Sequence, residues 1–392
     1  MQGQDIVCIS NTGWYGKYAK STVLLLERLA KHNRVLFVEH HYTLADIWYT
    51  LRGRKQAPIH QMLGFSSRLQ EIETAVGSKL YRLVMPPSLP VYFLKNEKSF
   101  EKLFCLNTFV YRRVLKKQLR RLGMEHPLVI TAYNPFYGLS MLHRLNEQAH
   151  IYYCYDGVEP SYYGQRIFRY EEEFSRKADA IICSSDFLLQ GKLPLNAKSY
   201  VVKNGVNFPL FSRYAKTEPY ERERKKVGFI GSLDPRFDID TVEYAVQQLP
   251  DFDFEFTGDM RNEQMRNRLK RYPNVYFFDP LLPEQVPPLL KRYDLGIIPY
   301  LQNEVNKNIY PLKINEFLAV GVPVVMTAFA DLPDFGGLVT TAATKEDFVS
   351  GLLAESSSDS KARISQRIML AGTNSWEERA EAFAEILSGF VN

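Results

Sequence analysis

The sequence predicts an α/β protein made of two doubly wound, Rossmann-like domains that face each other across a cleft. Apolar runs typical of buried strands alternate with helix-like amphipathic runs throughout the 392 residues. Such alternation is typical of parallel sheets covered by helices on both faces. The length also favours more than one domain. A turn cluster at residues 204–209 and a charged stretch at 216–226 indicate the boundary.

The predicted strands divide between the two halves. Those of the first half are Asp5–Ser10, Arg34–His40, Lys79–Met85, Leu128–Tyr133, Ile151–Asp156, Ala180–Ser185 and Tyr200–Lys203. Those of the second half are Lys226–Gly231, Asp253–Thr257, Val275–Phe278, Leu295–Pro299 and Pro323–Thr327. We expect an N-terminal domain of residues 1–205, a second domain of residues 206–375, and a last amphipathic helix from Trp376. Ligands of doubly wound sheets bind beyond the carboxyl ends of the strands.

Charge is distributed unevenly along the chain. Residues 1–200 contain 27 Lys+Arg and 17 Asp+Glu, a balance of +10, whereas residues 201–392 contain 22 and 27, a balance of −5. A basic domain can face nucleic acid, an anionic membrane or an anionic substrate. We find no aromatic platform or recognition motif for nucleic acid, so we do not expect it as a partner.

The chain shows no sign of secretion or of a membrane span. No uninterrupted apolar run reaches the ~18 residues of a membrane helix, and the N-terminus does not resemble a signal peptide. The four cysteines form no CxxC pair, which argues against a zinc site or a disulfide framework. We therefore expect a cytoplasmic protein with buried, reduced thiols.

The segment at residues 311–325, PLKINEFLAVGVPVV, contains the most informative motif. It predicts a helix whose first turn includes Pro311 and which ends at Gly321, followed by a short buried strand. Lys313 and Glu316 are three residues apart and share one helix face near its positive end. This geometry suits a ligand with a diphosphate and hydroxyl groups. It is equally typical of an exposed ion pair on an amphipathic helix.

The motif resembles the donor-site helix of nucleotide-sugar glycosyltransferases with the GT-B fold. Further matches occur in the expected order at Asp156-Gly157, Gly231-Ser232 and Trp376-Glu377-Glu378-Arg379. The nearest likenesses are bacterial teichuronic acid glycosyltransferases and xanthan-type glucuronosyltransferases. The resemblance implies that the last helix crosses back to the first domain. It also implies a nucleoside diphosphate sugar as substrate and no cofactor.

Asp156 is the candidate general base. It follows an apolar strand and precedes Gly157, and sugar transfer to an alcohol requires a group that accepts the hydroxyl proton. Position alone also fits an Asp that caps a turn. The resemblance to the catalytic Asp-Gly of glucuronosyltransferase-like relatives favours the base, with Glu159 as the substitute.

Gly231-Ser232 ends the first strand of the second domain, where glycine lets backbone amides approach phosphate. The resemblance gives Arg236 the role of a diphosphate-binding cation, although the relatives' usual Arg…Lys-Gly pair is absent. Asp238 and Asp240 are spaced like a metal-binding Asp-x-Asp, but acidic residues are also favoured where a helix begins. We expect no metal site.

Three further donor-side or acceptor-side positions follow from the resemblance. Tyr300 closes a strand where relatives place a residue that contacts sugar or phosphate. Leu282 follows the strand whose end borders the nucleotide base. The loop containing Gly13, Trp14 and Tyr15 borders the acceptor, and its aromatic rings could stack on a sugar or anchor the loop.

A predicted helix at residues 109–124 carries six basic residues, and aromatic and basic residues are interleaved at 42–65. A charge run of this kind is commonly a solvated helix face, but it also suits peripheral docking on anionic lipid.

These observations favour a metal-independent glycosyltransferase of surface-polysaccharide synthesis that acts at the inner face of the membrane. Its acceptor would be a hydroxyl of a lipid-linked or saccharide molecule, and a UDP-sugar is the favoured donor. A nucleotide-sugar 2-epimerase of the same fold and a catalytically silent sugar-binding or scaffold protein remain alternatives.

Overall fold

The computed structural model describes residues 1–16, 20–158, 163–260 and 262–391. The chain divides into two compact units. The first comprises Met1–Gly16, Lys20–Lys203 and the residues from Ala380 onward, and the second comprises Asn204–Arg379. Each unit is a doubly wound α/β sheet, as the sequence predicts.

Within the described residues, the sheet of the first unit has eight strands. They are β1 (Asp5–Ser10), β2 (Arg34–Val38), β3 (Leu69–Glu73), β4 (Lys79–Leu83), β5 (Leu128–Ala132), β6 (Ala149–Cys154), β7 (Ala180–Cys183) and β8 (Ser199–Val201). Their order across the sheet is β3-β4-β2-β1-β5-β6-β7-β8. Neighbours pair in parallel except β3 and β4, which are antiparallel.

Strand β3 was not predicted. Its sequence, LQEIE, is short and mostly polar, and Gln70, Glu71 and Glu73 are exposed. An edge strand with one solvated face needs little apolar character. It is joined to β4 by a tight turn in which Gly77 has φ +76°, a conformation that favours glycine.

The helices of the first unit cover both faces of its sheet. They are α1 (Ser21–Leu29), α2 (Leu44–Leu51), α3 (Ile59–Leu63), α4 (Glu97–Leu122), α5 (Pro135–Met141), α6 (Arg166–Lys177) and α7 (Asp186–Lys192). Helix α4 extends twelve residues further towards the N-terminus than the predicted helix at 109–124. Asn96 caps it by accepting a hydrogen bond from the Ser99 amide at 3.0 Å, a favourable N-terminal signal. Its Leu115 and Leu119 are buried against the sheet.

The second unit contains a parallel sheet of six strands in the described residues. They are β9 (Lys225–Ile230), β10 (Phe252–Thr257), β11 (Val275–Phe278), β12 (Leu295–Ile298), β13 (Val324–Thr327) and β14 (Val339–Ala342), in the order β11-β10-β9-β12-β13-β14. Strand β14, with the sequence VTTA, was not predicted because it is short and polar.

The helices of the second unit pack on both faces of this sheet, and within the described residues its connections contain three 3-10 turns. The helices are α8 (Phe208–Ser212), α9 (Ile239–Gln248), α10 (Glu263–Leu269), α11 (Val286–Lys291), α12 (Leu312–Ala319), α13 (Lys345–Ser358) and α14 (Lys361–Thr373). The last helix, α15 (Trp376–Ser388), begins in the second unit and belongs to the first unit from Ala380 onward. The turns are Pro283–Gln285, Asn306–Asn308 and Pro333–Phe335.

The two ends of the second unit are hydrogen-bonded to each other. The Val206 amide donates to Asn374 O at 2.9 Å, and the Trp376 amide donates to Val206 O at 3.0 Å. A Cβ on Gly205 would lie 2.9 Å from the Ser375 carbonyl carbon, so this close approach requires glycine. The predicted turn at 204–209 therefore pairs with the segment that precedes α15.

Candidate functional site

Helix α12 positions the Lys313–Glu316 motif. Pro311 has φ −71° and ψ 119° and immediately precedes the helix instead of lying in its first turn. Gly321 has φ +80° and follows the end of the helix, in agreement with its predicted role as a stop. Ile314 and Phe317 are buried in the core. Because these two side chains are fixed in the core, Lys313 and Glu316 share the remaining face of the helix, near its N-terminus.

Lys313 Nζ and Glu316 Oε2 are 2.8 Å apart, and the two side chains are 29% and 10% exposed. The ion pair suggested by the spacing is therefore present. Because the glutamate is largely buried, the pair lies in a setting where charge interactions exceed those of a solvated helix face. It presents one cation and one carboxylate together at the positive end of a helix.

Asn315 fixes α12 from its buried side, and the sequence analysis missed it. Its Oδ1 accepts a hydrogen bond from Asn374 Nδ2 at 3.0 Å. Asn374 Oδ1 in turn accepts from Arg379. The chain of bonds ties the motif helix to the segment that precedes α15 and to its first turn.

The predicted phosphate loop after β9 passes very close to the loop after β10. The Gly231 amide donates to Thr257 O at 3.0 Å. A Cβ on Gly258, which has φ +139°, would lie 2.0 Å from Gly231 O. This contact therefore requires glycine at position 258. The half-exposed Gly231 and Ser232 lie at the edge formed by the carboxyl ends of β9 and β10.

Arg236 and Tyr300 are brought together by a backbone bridge. The Leu301 amide donates to Arg236 O at 2.7 Å, and the Asp238 amide donates to Pro299 O at 2.8 Å. The Arg236 guanidinium carbon lies 5.8 Å from the centre of the Tyr300 ring. Arg236 also forms an ion pair with Asp234, so part of its charge is balanced within the loop.

Asp238 and Asp240 have structural roles. Asp238 caps α9 by accepting hydrogen bonds from the Thr241 amide at 3.0 Å and from its hydroxyl at 2.7 Å. Asp240 pairs with Arg268 at 2.5 Å. In the part of the chain that the structure describes, no group of three or more His, Cys, Asp or Glu residues could hold a metal ion.

A cavity of about 350 Å³ lies beside the carboxyl ends of β10 and β11. Its lining includes Thr257, Phe278 and Leu281. Leu282, the residue predicted to border the nucleotide base, is 58% exposed and does not line this cavity. The cavity wall also contains buried Glu255, whose Oε1 is 2.7 Å from Lys226 Nζ.

In the first unit, Asp156 lies two residues beyond β6 and is exposed. Its Oδ1 accepts a hydrogen bond from the Gly157 amide at 2.9 Å, so Asp156 also stabilises the turn. Tyr133, just beyond β5, donates from its hydroxyl to Gly157 O at 2.6 Å. Tyr133 has φ +53°, a strained conformation for a bulky residue. Glu159 lies outside the described residues.

The loop at Gly13–Tyr15 is built around buried Glu39. Glu39 Oε1 accepts from the Trp14 amide at 2.9 Å and from Arg82 Nε at 2.6 Å. Trp14 packs edge-on against Phe37 with ring centres 5.0 Å apart and is only 9% exposed. Trp14 therefore anchors the loop.

Tyr15, by contrast, is 65% exposed. Lys20 Nζ stabilises the loop by donating hydrogen bonds to the backbone carbonyl oxygens of Gly13 and Tyr15, at 2.5 and 2.7 Å. Burial lowers the pKa of Lys20. Of the two aromatic rings of this loop, Tyr15 alone is available for stacking on a ligand.

A histidine pair, His40 and His41, follows shortly after β2, and it was not predicted from the sequence. His40 Nδ1 lies 3.0 Å from Asn11 O, and His41 Nδ1 lies 3.2 Å from Asn134 Nδ2. Burial lowers the pKa of both histidines, and that of His41 falls well below its ordinary value. The polar run Glu39-His40-His41 directly after a buried strand was the available signal.

The sequence profile of the family described as "Glycosyl transferases group 1" matches residues 224–368. These residues lie within the second unit and contain Gly231, Arg236, Lys313 and Glu316. The similarity to this family therefore lies in the second unit and includes the predicted donor-side residues.

A curated relative matches part of the chain. It is a Bacillus subtilis (strain 168) protein, TuaH, named as a teichuronic acid biosynthesis glycosyltransferase, and it is 38% identical over 162 residues. The alignment spans 39% of this chain and 41% of the relative, so it covers less than half of either protein.

Solved structures match over nearly the whole length. A sucrose-phosphate synthase from Thermosynechococcus elongatus superposes with a TM-score of 0.68 at 16% identity, covering 98% of both chains. A trehalose 6-phosphate synthase from Burkholderia multivorans gives 0.68 at 11% identity, covering 99% of both chains. At such identities the likeness establishes the fold, and it confirms the predicted GT-B architecture.

Proposed function

We propose that this protein is a glycosyltransferase that moves a sugar from a nucleoside diphosphate sugar, with a UDP-sugar favoured, to a hydroxyl group. The observation that carries the proposal is the close Lys313–Glu316 pair at the start of α12, within the segment that matches glycosyl transferases group 1. A lipid-linked or saccharide acceptor in bacterial surface-polysaccharide synthesis is supported by the name of the Bacillus relative.

The donor would lie at the edge formed by the carboxyl ends of the strands of the second unit. Lys313, the helix N-terminus and Arg236 would neutralise the charge that develops on the leaving diphosphate. Glu316 would accept hydrogen bonds from ribose or sugar hydroxyls. The cavity lined by Phe278 and Leu281 is the best place for the nucleotide base. This assignment gives the neutralising role to side chains and a helix end, without a metal ion or other cofactor.

Asp156 would act as the general base on the acceptor hydroxyl. It is exposed at the strand-end edge, where a ligand of a doubly wound sheet is expected. Its carboxylate accepts a turn hydrogen bond at Oδ1, and a carboxylate is a group that can accept the hydroxyl proton. Exposed Tyr15 and the loop that holds it would border the acceptor.

We also propose that the protein associates peripherally with the inner face of the membrane. The support is the basic balance of the first 200 residues and the exposed Arg113, Lys116, Lys117 and Arg120 on α4. Cations near an anionic surface each contribute about 1 kcal/mol of binding.

The test is a donor screen with the purified protein that follows the release of nucleoside diphosphate with and without oligosaccharide or lipid-linked acceptors. Acceptor-dependent release supports the proposal. Release of free sugar and nucleoside diphosphate without any acceptor indicates an epimerase-type reaction instead. If no donor binds or reacts, the sugar-binding or scaffold alternative replaces the proposal.

The matched control for this screen is Lys307→Ala. Lys307 forms an i,i+3 pair with Glu304 at 2.5 Å, and both side chains are well exposed. Lys313→Ala should weaken the response to donor, whereas Lys307→Ala should retain it.

A further inference from the structure

Helix α2 presents an apolar stripe to solvent. Leu44, Trp48 and Leu51 follow each other at spacings of four and three residues, which places them on one face. They are 46%, 46% and 77% exposed. Large apolar side chains on an aligned, exposed helix face commonly mark a contact with a partner or a membrane.

The stripe belongs to a well-formed helix. Thr43 and Asp46 form a capping box, and the Leu44 amide donates to Ser88 O at 2.9 Å. Asp46 is also paired with Lys55. The helix start is therefore fixed to the rest of the first unit, and the exposure of the stripe is not a consequence of fraying.

Cations surround the carboxyl end of the stripe. Arg52, Arg54 and Lys55 follow α2 directly and are all exposed. The Arg52 guanidinium carbon lies 3.9 Å from the centre of the Trp48 ring, a cation–π arrangement. Just beyond them, Leu63 and Phe65 are again exposed large apolar side chains.

A second exposed apolar patch lies close to the start of α2. Segment 88–89 connects the two places, because Ser88 bonds to Leu44 while Leu89 exchanges two hydrogen bonds with the Asn107 side chain, at 2.8 and 2.9 Å. On either side of Asn107, residues Leu106, Phe109 and Val110 of α4 are exposed. The basic face of α4 continues from this patch.

We propose that this surface, comprising Leu44, Trp48, Leu51, Leu63 and Phe65 with the neighbouring patch of α4, inserts into the headgroup region of an anionic phospholipid bilayer. The inference deepens the membrane association in the proposed function and rests on it. In addition to the electrostatic attraction of basic residues to the membrane, it includes the insertion of apolar side chains.

The positive charge around this surface favours an anionic lipid bilayer as its binding partner. Residues 42–125 contain 15 Lys+Arg and 6 Asp+Glu, a balance of +9, which accounts for most of the +10 of the first 200 residues. Exposed Trp and Leu with flanking Arg and Lys match the boundary between acyl chains and anionic headgroups. Across the described residues, no helix has the length and apolar character to span a bilayer. The contact would therefore lie in the interface.

The tryptophans provide a direct probe. The chain has three, and Trp14 and Trp376 are 9% and 1% exposed, whereas Trp48 is 46% exposed. Phosphatidylcholine vesicles containing phosphatidylglycerol should shift the fluorescence emission to shorter wavelength, and brominated acyl chains should quench it. Trp48→Phe should abolish both effects while retaining vesicle binding. An unchanged emission spectrum in the presence of bound vesicles would overturn insertion.

Vesicle co-sedimentation gives a second readout. Trp48→Ser/Leu51→Ser should weaken the partition coefficient by roughly tenfold or more, since two large apolar side chains lose their buried area. The matched control is Leu353→Ser/Met369→Ser, which replaces two exposed apolar side chains of the second unit that are 47% and 64% exposed. The control should bind like the wild type.

Salt separates the two contributions. At about 0.5 M NaCl the Debye length is below ~5 Å, so the attraction between charges is largely screened. The vesicle binding that remains should depend on Trp48 and Leu51.

Equal vesicle binding by the double variant and the wild type would overturn the proposal. So would a loss of self-association in the double variant without any change in vesicle binding, because the surface would then be a protein interface. Vesicle binding requires no donor, so its failure leaves donor turnover, and thus the glycosyltransferase proposal, intact.

Discussion

The Tyr133 hydroxyl donates to the backbone carbonyl oxygen of Gly157 at 2.6 Å. The bond joins the residue that follows β5 to the residue that follows Asp156. Tyr133 adopts a left-handed backbone conformation with φ +53°, which costs of order 1–3 kcal/mol in a non-glycine residue. The presence of a strained backbone next to the candidate base indicates that the placement of Tyr133 is important for the geometry of this turn.

Asp156→Asn should abolish sugar transfer while sparing donor binding. The amide still accepts a hydrogen bond from the Gly157 amide, so the turn should persist, but it cannot take a proton at neutral pH. General-base catalysis typically contributes ~10²–10⁴-fold, so turnover should fall by about that factor. Steady-state turnover and donor calorimetry measure the two effects. Asp251→Asn, at a side chain 89% exposed in the second unit, is the control.

Near-normal turnover of the Asp156→Asn variant would show that Asp156 is only a turn residue. Glu159 would then be the next candidate base.

Lys313→Ala should weaken binding of a nucleoside diphosphate. A charge-assisted hydrogen bond of this kind contributes roughly 1.5–3 kcal/mol. Because Glu316 is only 10% exposed in its side chain and is paired with Lys313 at 2.8 Å, the variant should also lose a little stability. Calorimetry and thermal unfolding measure the two effects.

Glu316→Gln should keep the fold and lower donor affinity, since the neutral amide accepts more weakly from hydroxyl groups. A collapse of the melting temperature in this variant, without ligand, would mark Glu316 as a structural ion-pair member. Glu304→Gln at the exposed pair with Lys307 should leave both measurements unchanged.

The strands that the sequence predicted are those with continuous apolar runs. Ile151–Tyr153 and Val324–Met326 are buried on both faces of their sheets, so their composition alone identified them. Strands β3 and β14 lie at sheet edges and need fewer apolar residues. They form strands because β3 pairs with β4 and β14 pairs with β13, which their composition alone does not predict.

Site residues were predictable where a local motif positions them and were missed where distant segments do. Lys313 and Glu316 meet because of helical spacing. The need for glycine at Gly258 arises from the carbonyl of Gly231, which is close in space but distant in sequence. Likewise, the burial of Trp14 depends on Phe37 and Glu39, which no pattern in the loop itself indicates.

Trp14→Ala should destabilise the first unit, whereas Tyr15→Ala should not. Truncation of a buried aromatic side chain typically costs about 3–5 kcal/mol, and Trp14 is packed against Phe37. Tyr15 is largely exposed, so its truncation should change the KM for the acceptor and leave the free energy of unfolding unchanged. Urea unfolding and acceptor kinetics of both variants provide the test. Equal stability of the two variants would contradict the anchor role of Trp14.

Lys216 provides a prediction about pH. It is 4% exposed, its Nζ donates to Tyr293 O, and it lies 4.6 Å from the centre of the Tyr220 ring. Burial lowers the pKa of Lys216 to about 8, although Asp294 nearby opposes this shift. The folded protein therefore releases this proton at a lower pH than the unfolded chain does.

The sign of the effect follows from proton linkage. Between the folded pKa of about 8 and the ordinary lysine value of 10.5, the unfolded chain binds more protons than the folded protein, so stability rises with pH. From about pH 7 to about pH 9.5 the contribution of Lys216 should rise by about 2 kcal/mol. Lys216→Met cannot titrate and should lack this rise, whereas Lys291→Met, at an exposed lysine, should retain it. Urea unfolding of the three proteins at both pH values measures the difference, and parallel curves for wild type and Lys216→Met would show that the pKa of Lys216 is not lowered.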